Sequence, residues 1–335
     1  MLLVIGAAFA WLQMPMGFKP QINSSEASGS SAAQEALDLS IEPGTSPKGV
    51  AYAIANAGAD VSPQLLWLWF RFSGQARGIK AGSYEITAQM SPQTVLNMLV
   101  RGEESLRSIT LVEGWTFKQF KLALAKADSL KSTTAGLSDQ DIMAQLGRSQ
   151  VHPEGRFYPD TYTYSKGATD YSVMKRAMHA MDRHLAEVWQ LKARDSVLRS
   201  PNDLLILASI VEKETGRAID RPHISAVFHN RIKIGMRLQT DPTVIYGLGD
   251  AFDGNLRRVD LKTDTPYNTY TRAGLPPTPI AMPGKAALMA ALQPANSQAL
   301  YFVAKGDGTS HFSNSLNEHN QAVNLYQRGQ VPKGN

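Results

Sequence analysis

Two glutamates close a stretch of chain that is otherwise built to be dry. Ser200-Pro-Asn-Asp opens it, Leu204 to Val211 is apolar except for Ser209, and Glu212, Lys213, Glu214, Thr215 and Gly216 follow. A serine cap, a proline in the first turn and Asp203 three residues after the cap make a helix start. Gly216 is the expected stop. A helix apolar on every side belongs in a core. Acids in its last turn face the negative end of the helix dipole, and burial raises a carboxyl pKa. Both effects favour a carboxylic acid that keeps its proton near neutral pH, which is what a general acid requires. Glu212 and Glu214 lie about 200° apart around the axis, so they cannot share one site. Glu212 has Leu205, Ala208, Ser209 and Thr215 on its side, where small residues leave room for a ligand; Glu214 follows the bulkier Leu207, Ile210 and Val211. This favours Glu212 as the chemical group, with Ser209 and Glu214 supporting it. The plain alternative is two ordinary helix-end acids, solvated or paired with Lys213 or Arg217.

Composition narrows the classes. The chain has 335 residues, room for two domains. With no cysteine there are no disulfides, thiolate metal sites or cysteine nucleophiles. The balance of 34 basic and 29 acidic residues, net +5, suits an anionic polymer or a membrane surface, and no basic run points to nucleic acid. Phosphate-binding glycine loops and an H-E-x-x-H pair are absent, Ser209 lacks nucleophile-elbow glycines, and the seven histidines are scattered. No metal site and no cofactor are expected.

The elements that must position the acid read as an α+β chain with segregated modules. Residues 1–18 are almost wholly apolar and read as a transmembrane signal anchor; Ala8-Phe-Ala10 also resembles a signal-peptidase site. Residues 19–38, rich in Ser, Ala and Gly, read as a linker. Residues 39–107 place a strand from Leu39, helices opened by Ser46-Pro47 and Ser62-Pro63, a strand at Lys80–Thr87 and a helix opened by Ser91-Pro92. That order resembles a small LysM-type glycan-binding module. Residues 108–330 form the larger mixed domain: a strand at Ser108–Val112, a turn-rich aromatic loop at Glu154–Tyr162, and a methionine-striped helix from Asp170. After the acid-bearing helix come a helix from Asp220, a cap at Asp241-Pro242, a hairpin at 300–313 and a closing helix from Ser315.

At Leu207-Ala-Ser-Ile-Val-Glu-Lys-Glu-Thr215 the chain resembles the endolytic murein transglycosylases, the YceG-like family. The same family order continues through Glu154-Gly-Arg-Phe-Tyr-Pro-Asp-Thr-Tyr162, Asn230 to Gly247 with Leu238-Gln-Thr-Asp-Pro242, Tyr267-Asn-Thr-Tyr270, Gly274-Leu-Pro-Pro277, Ile280-Ala-Met-Pro-Gly284 and Ser310-His-Phe-Ser313. The resemblance implies a single-pass protein of the cell inner membrane whose catalytic domain faces the periplasm. It implies cleavage of the MurNAc-β-1,4-GlcNAc bond of nascent glycan strands without water, leaving 1,6-anhydroMurNAc ends and terminating strand elongation. It carries the family's catalytic glutamate to Glu212.

A single acid then suffices. Most glycosidases need two carboxylates, but in a transglycosylase the sugar's own 6-hydroxyl is the nucleophile. Gln239, Asp241, Thr243, Tyr246, Asn268, Thr269 and Tyr270 are the expected groove residues, since amides, hydroxyls and aromatic rings suit N-acetyl groups and sugar faces. Glu214 is expected to position, by pairing with Arg231 or Arg237. The expected partners are glycan strands, the membrane and peptidoglycan synthases (penicillin-binding proteins). Two rivals remain: a non-catalytic wall-binding anchor for synthases, and a muramidase that adds water with a second carboxylate.

Overall fold

The computed structural model describes residues 10–19 and 36–329. The chain divides into two units: one holds the chain up to Ser108 with Asp128–Lys131 and Thr163–Ala168, the other holds Ile109–Ala127, Ser132–Tyr162 and the chain from Thr169 onward.

In the first unit, β1 (Ala36–Ile41) buries Leu37, Leu39 and Ile41 and exposes Asp38 and Ser40, the period of two that a half-buried strand needs. It pairs antiparallel with β2 (Gly82–Thr87), Leu39 opposite Tyr84 and Leu37 opposite Ile86. Between them in sequence lie α1 (Pro47–Asn56) and α2 (Pro63–Phe72), and α3 (Pro92–Arg101) follows β2. Each helix starts at a serine followed by proline. Ser46, Ser62 and Ser91 accept the backbone N–H of Gly49, Leu65 and Thr94 at 3.1, 3.4 and 3.2 Å, and proline at the first position costs no hydrogen bond. Val50 and Ile54, Leu66 and Phe70, and Leu96 and Leu99 fill the core from the three helices.

The strand begins at Ala36, inside the expected linker, because Ala36 still has Thr87 to pair with; residues 20–35 lie outside the described residues. Of the expected anchor, residues 1–9 also lie outside them. The chain after residue 9 packs on the first unit: Met16 is buried in that core, and the Gly17 and Lys19 N–H groups donate to the carbonyls of Ala88 and Gly58. No helix among the described residues is long and apolar enough to cross a membrane.

Strands β3 (Leu106–Thr110) and β4 (Thr161–Ser165) pair and carry the chain between the units. The sequence reading places β3 two residues later and leaves β4 unassigned. Yet β4 buries Tyr162 and Tyr164 and exposes Thr161 and Thr163, an alternation hidden by the turn residues before it.

The second unit is built around α7 (Pro201–Glu214). Before it come α4 (Phe117–Lys126), α5 (Asp139–Gln145) and α6 (Asp170–Trp189); after it come α8 (Arg221–Lys233), α9 (Asp241–Leu248), α10 (Arg258–Lys262) and α11 (Lys285–Leu292). The hairpin β5 (Tyr301–Ala304) and β6 (Ser310–Ser313) and the helix α12 (Leu316–Tyr326) complete it. Ser200 caps α7 by accepting the Asp203 N–H at 3.1 Å. From Leu204 to Val211 every residue of α7 is buried, enclosed by α6, α8, α9 and α11. The methionines of α6 serve the same core: Met181 packs into it with Leu185 and Val188.

The end of α7 differs from the expected glycine stop. Thr215 is already extended, at φ −153° and ψ 137°, and Gly216 does not enter the left-handed region. The chain leaves the helix directly, and Thr215 Oγ1 accepts the Arg217 N–H at 3.0 Å. Because α7 is the centre of the core, Leu207→Ala, at a position with no exposed surface, is expected to cost about 2–5 kcal/mol in denaturant unfolding.

Candidate active site

The last turn of α7 sends its two acids to different surroundings. Glu212 has a side chain only 6 % exposed. One carboxylate oxygen accepts the Gly284 N–H at 2.9 Å, and the other lies 3.4 Å from an Arg221 guanidinium nitrogen. Burial raises its pKa, against the Gly284 hydrogen bond and the Arg221 charge. The space beside it, which the small residues of α7 leave open in the sequence reading, is filled by the chain itself. Ser209 Oγ donates to the Ile206 carbonyl at 2.7 Å and accepts the Ile280 N–H at 3.0 Å. Met282 exchanges backbone hydrogen bonds with Gly114 and Trp115 at 2.8 and 2.7 Å. Residues 280–284 are therefore seated on α7 through Ser209 and Glu212, and Ser209 has no exposed surface for a ligand.

Glu214 faces a cavity of about 400 Å³. Its carboxylate accepts a hydrogen bond from the Thr240 hydroxyl. Burial, with the neighbouring negative charge of Asp241, pushes its pKa up to about 7, against the Thr240 hydrogen bond and the charge of Arg231. Gln239, Thr240 and Asp241 line this cavity together with Tyr270. They sit on the sharp connection between α8 and α9, where Gln239 takes φ +50°, a conformation that a non-glycine residue adopts only when its surroundings impose it. The Gln239 N–H donates to the Thr269 carbonyl at 3.1 Å, and the Tyr270 hydroxyl donates to Asp241 at 2.5 Å. Tyr301, Phe302, Leu316 and His319, from β5 and α12, also line the cavity. Tyr301 stacks on His319 with ring centroids 5.3 Å apart.

The expected ion pair of Glu214 with Arg231 or Arg237 does not form. Arg231 is buried and lines the same cavity, but its Nε and Nη1 donate to the carbonyls of Leu300 and Leu238 at 2.7 and 2.6 Å. Arg237 Nη1 donates to the Tyr270 carbonyl at 3.1 Å. Both guanidinium groups are engaged in holding backbone, which leaves Glu214 with a neutral hydroxyl as its direct partner.

The profile of the YceG-like family matches residues 39–325. The chain belongs to the YceG-like family. A Bacillus subtilis protein named endolytic murein transglycosylase is 32 % identical over 307 residues, covering 87 % of this chain and 84 % of that protein. A protein of the same name from Streptococcus pneumoniae serotype 2 is 26 % identical over 322 residues, covering 86 % of this chain and 58 % of the longer streptococcal one. The 2.6 Å crystal structure of a YceG-like protein from Listeria monocytogenes is 29 % identical, covers 85 % of this chain and 98 % of its own, and superimposes with a TM-score of 0.54.

In this YceG-like chain the expected groove residues separate into two groups. Gln239, Asp241 and Tyr270 line the cavity with Glu214. Thr243, Asn268 and Thr269 are buried and serve backbone and one another. Thr243 Oγ1 donates to the Thr240 carbonyl at 2.8 Å, and Thr269 Oγ1 accepts the Thr240 N–H at 3.1 Å. Asn268 Nδ2 holds the carbonyls of Asp260, Leu261 and Thr263. Thr243 and Thr269 brace the connection that carries Gln239 and Asp241, and Asn268 secures the end of α10. Tyr246 packs edge-on against Tyr267 and bonds Glu154 at 3.2 Å. Glu154 is buried, accepts the Phe117 N–H at the start of α4, and has its pKa pushed up to about 7, chiefly by burial. Next to it, Gly155 has φ +77°, and a Cβ there would stand 2.5 Å from Pro279. Only glycine fits this loop against the residues that lead into the 280–284 segment. Sequence reasoning named Arg231 as an ion-pair partner of Glu214 and missed Thr240, Tyr301, Phe302, Leu316 and His319 as cavity residues. Thr240 lay between two named positions, but the others come from distant parts of the chain and no spacing joins them to Glu214.

Two predictions follow from the acid-bearing turn. Ser209→Ala removes the acceptor of the buried Ile280 N–H and should cost about 1–3 kcal/mol, measured by denaturant unfolding. The raised pKa of Glu214 implies that the folded chain holds a proton which the unfolded chain, near pKa 4.3, has already released. Stability should therefore fall as pH rises from about 4.5 to about 7 and level off above. Glu214→Gln, neutral throughout, should make that part of a curve of melting temperature against pH shallower, with Glu154, raised to about 7 as well, retaining the rest.

Proposed function

We propose that this chain is an endolytic peptidoglycan lytic transglycosylase, a carbon–oxygen lyase, and that Glu214 transfers the proton. The supporting observation is a carboxylic acid with a pKa of about 7 opening into a 400 Å³ cavity lined by amide, hydroxyl and aromatic groups, in a family whose relatives carry that name.

The protonated Glu214 donates to the glycosidic oxygen as the bond to C1 of the N-acetylmuramic acid breaks. The 6-hydroxyl of the same sugar then attacks C1 and gives its proton back to the Glu214 carboxylate. The donor ends as it began, no water or cofactor is consumed, and the product carries a 1,6-anhydro ring. Intramolecular attack avoids the entropy of recruiting a second reactant. The Asp241 carboxylate in the same cavity suits the positive charge that develops at C1. Its Tyr270 hydrogen bond fixes the carboxylate's position. Glu212, the acid favoured by the sequence pattern and carried over by the family resemblance, is enclosed between Gly284 and Arg221. Burial raises its pKa in spite of both contacts, so it is the second candidate for the proton transfer, and through Gly284 it also seats the 280–284 segment.

The β–α–α–β order of the first unit, with its two strands paired, supports a LysM-like module that holds glycan. The apolar run at the start of the chain supports a single-pass anchor in the cell inner membrane, the catalytic unit outside it, close to newly made strands and to the synthases that make them.

Uncrosslinked glycan strands incubated with the purified chain should yield fragments with anhydro ends by mass spectrometry. Reducing ends would mean hydrolysis, and intact strands a binder. Glu214→Gln should lose about 10²–10⁴-fold in cleavage rate without loss of folded protein, and the wild-type rate should fall above about pH 7. Glu212→Gln should keep cleavage within about tenfold. The reverse order of the two variants would return the proton transfer to Glu212.

A further inference from the structure

Helix α2 of the first unit carries two apolar stripes. Leu66 and Phe70 point into the core and have no exposed surface. Leu65, Leu68, Trp69 and Phe72 stand at i, i+3, i+4 and i+7 on another side, with Leu65 54 %, Leu68 43 % and Phe72 77 % exposed. A helix at the surface of a soluble domain keeps such a side polar. Here the sequence Pro-Gln-Leu-Leu-Trp-Leu-Trp-Phe-Arg-Phe contains no acid and a single charge, Arg71. The four stripe residues line, with Trp11 and Leu12, an apolar groove of about 310 Å³.

Chain continuity identifies what covers the groove. Met1-Leu-Leu-Val-Ile-Gly-Ala-Ala-Phe9 is apolar throughout and leads directly into Ala10, Trp11 and Leu12. A chain that leaves lipid along this run emerges at the groove. Tryptophan is the residue most favoured at the boundary between hydrocarbon and headgroups, and Trp11 and Trp69 both line it. Ten residues of helix make about 15 Å, half of the roughly 30 Å hydrocarbon core. Such a helix cannot cross the bilayer but can lie in its surface with one apolar side immersed.

We propose that the Leu65–Leu68–Trp69–Phe72 side of α2, with Trp11 and Leu12, is seated in the lipid–water interface of a phospholipid bilayer and docks the first unit on the membrane. This rests on reading the N-terminal run as a membrane anchor and adds a second, in-plane contact to it. Docking fixes the height of the first unit above the bilayer, which a flexible tether would leave free.

The chain has no cysteine, so Phe72→Cys and Leu65→Cys each give one attachment point for a nitroxide spin label, at exposed positions outside the core. The full-length labelled chain is mixed with phosphatidylcholine–phosphatidylglycerol vesicles. Flotation measures binding, and collision with oxygen or with a water-soluble nickel chelate reports where the label sits. Both labels should be open to the chelate in vesicle-free buffer. With vesicles they should become several-fold more accessible to oxygen and several-fold protected from nickel. A chain that floats with vesicles while both labels stay open to nickel overturns the docking face and leaves the anchor standing. A chain that does not float overturns both. Labels protected from nickel before any lipid is added would show the groove covered by the chain's own N-terminal run, which also overturns the proposal.

Discussion

A helix that is apolar on every side can present chemistry only where it ends. In α7 that constraint is strict: eight consecutive residues are buried, and the acids that follow them are Glu212 and Glu214. Their separation of about 200° around the axis sends one carboxylate toward the 280–284 segment and the other toward the cavity. Burial raises both pKa values, so the position of each acid, rather than its desolvation, decides what it does. Glu212 meets an amide and a guanidinium. Glu214 meets a hydroxyl and open volume.

Much of the second unit can be understood as support for that arrangement. The Ser209 hydroxyl joins α7 to Ile280, and Gly284 closes on Glu212. Thr269 and Thr243 hold the connection between α8 and α9 in a shape that includes a left-handed Gln239. Arg231 ties the start of that connection to β5 through two backbone carbonyls. The polar motifs of the family are thus largely scaffolding. They are buried side chains satisfying backbone groups that an irregular loop leaves unpaired.

The small unit combines two properties. Its strands and three helices enclose an ordinary core, each helix started by a serine cap and a proline. Yet α2 is apolar on a second side, beside the point where the N-terminal run joins the unit. The physical requirement for covering that side is separate from the requirement for folding, because the core is complete without it.

The local signals in this sequence were strong enough to determine most helices. Ser46, Ser62, Ser91 and Ser200, each followed by proline, mark helix starts that depend only on nearby backbone groups. The alternation of the hairpin at 301–313 and the continuous apolar run of α7 likewise need no partner to be read. Glu212 and Glu214 were legible as unusual acids for the same reason, since burial follows from the run before them. What the sequence could not decide was what surrounds each of them. Beside Glu212, residues 280–284 reach α7 from about 70 positions downstream, through Ile280 to Ser209 and Gly284 to Glu212. The cavity at Glu214 is completed by Tyr301, Leu316 and His319, about 85 to 105 positions downstream. Helix periodicity gives direction around an axis, but only the packing of distant segments against that axis determines which direction remains empty.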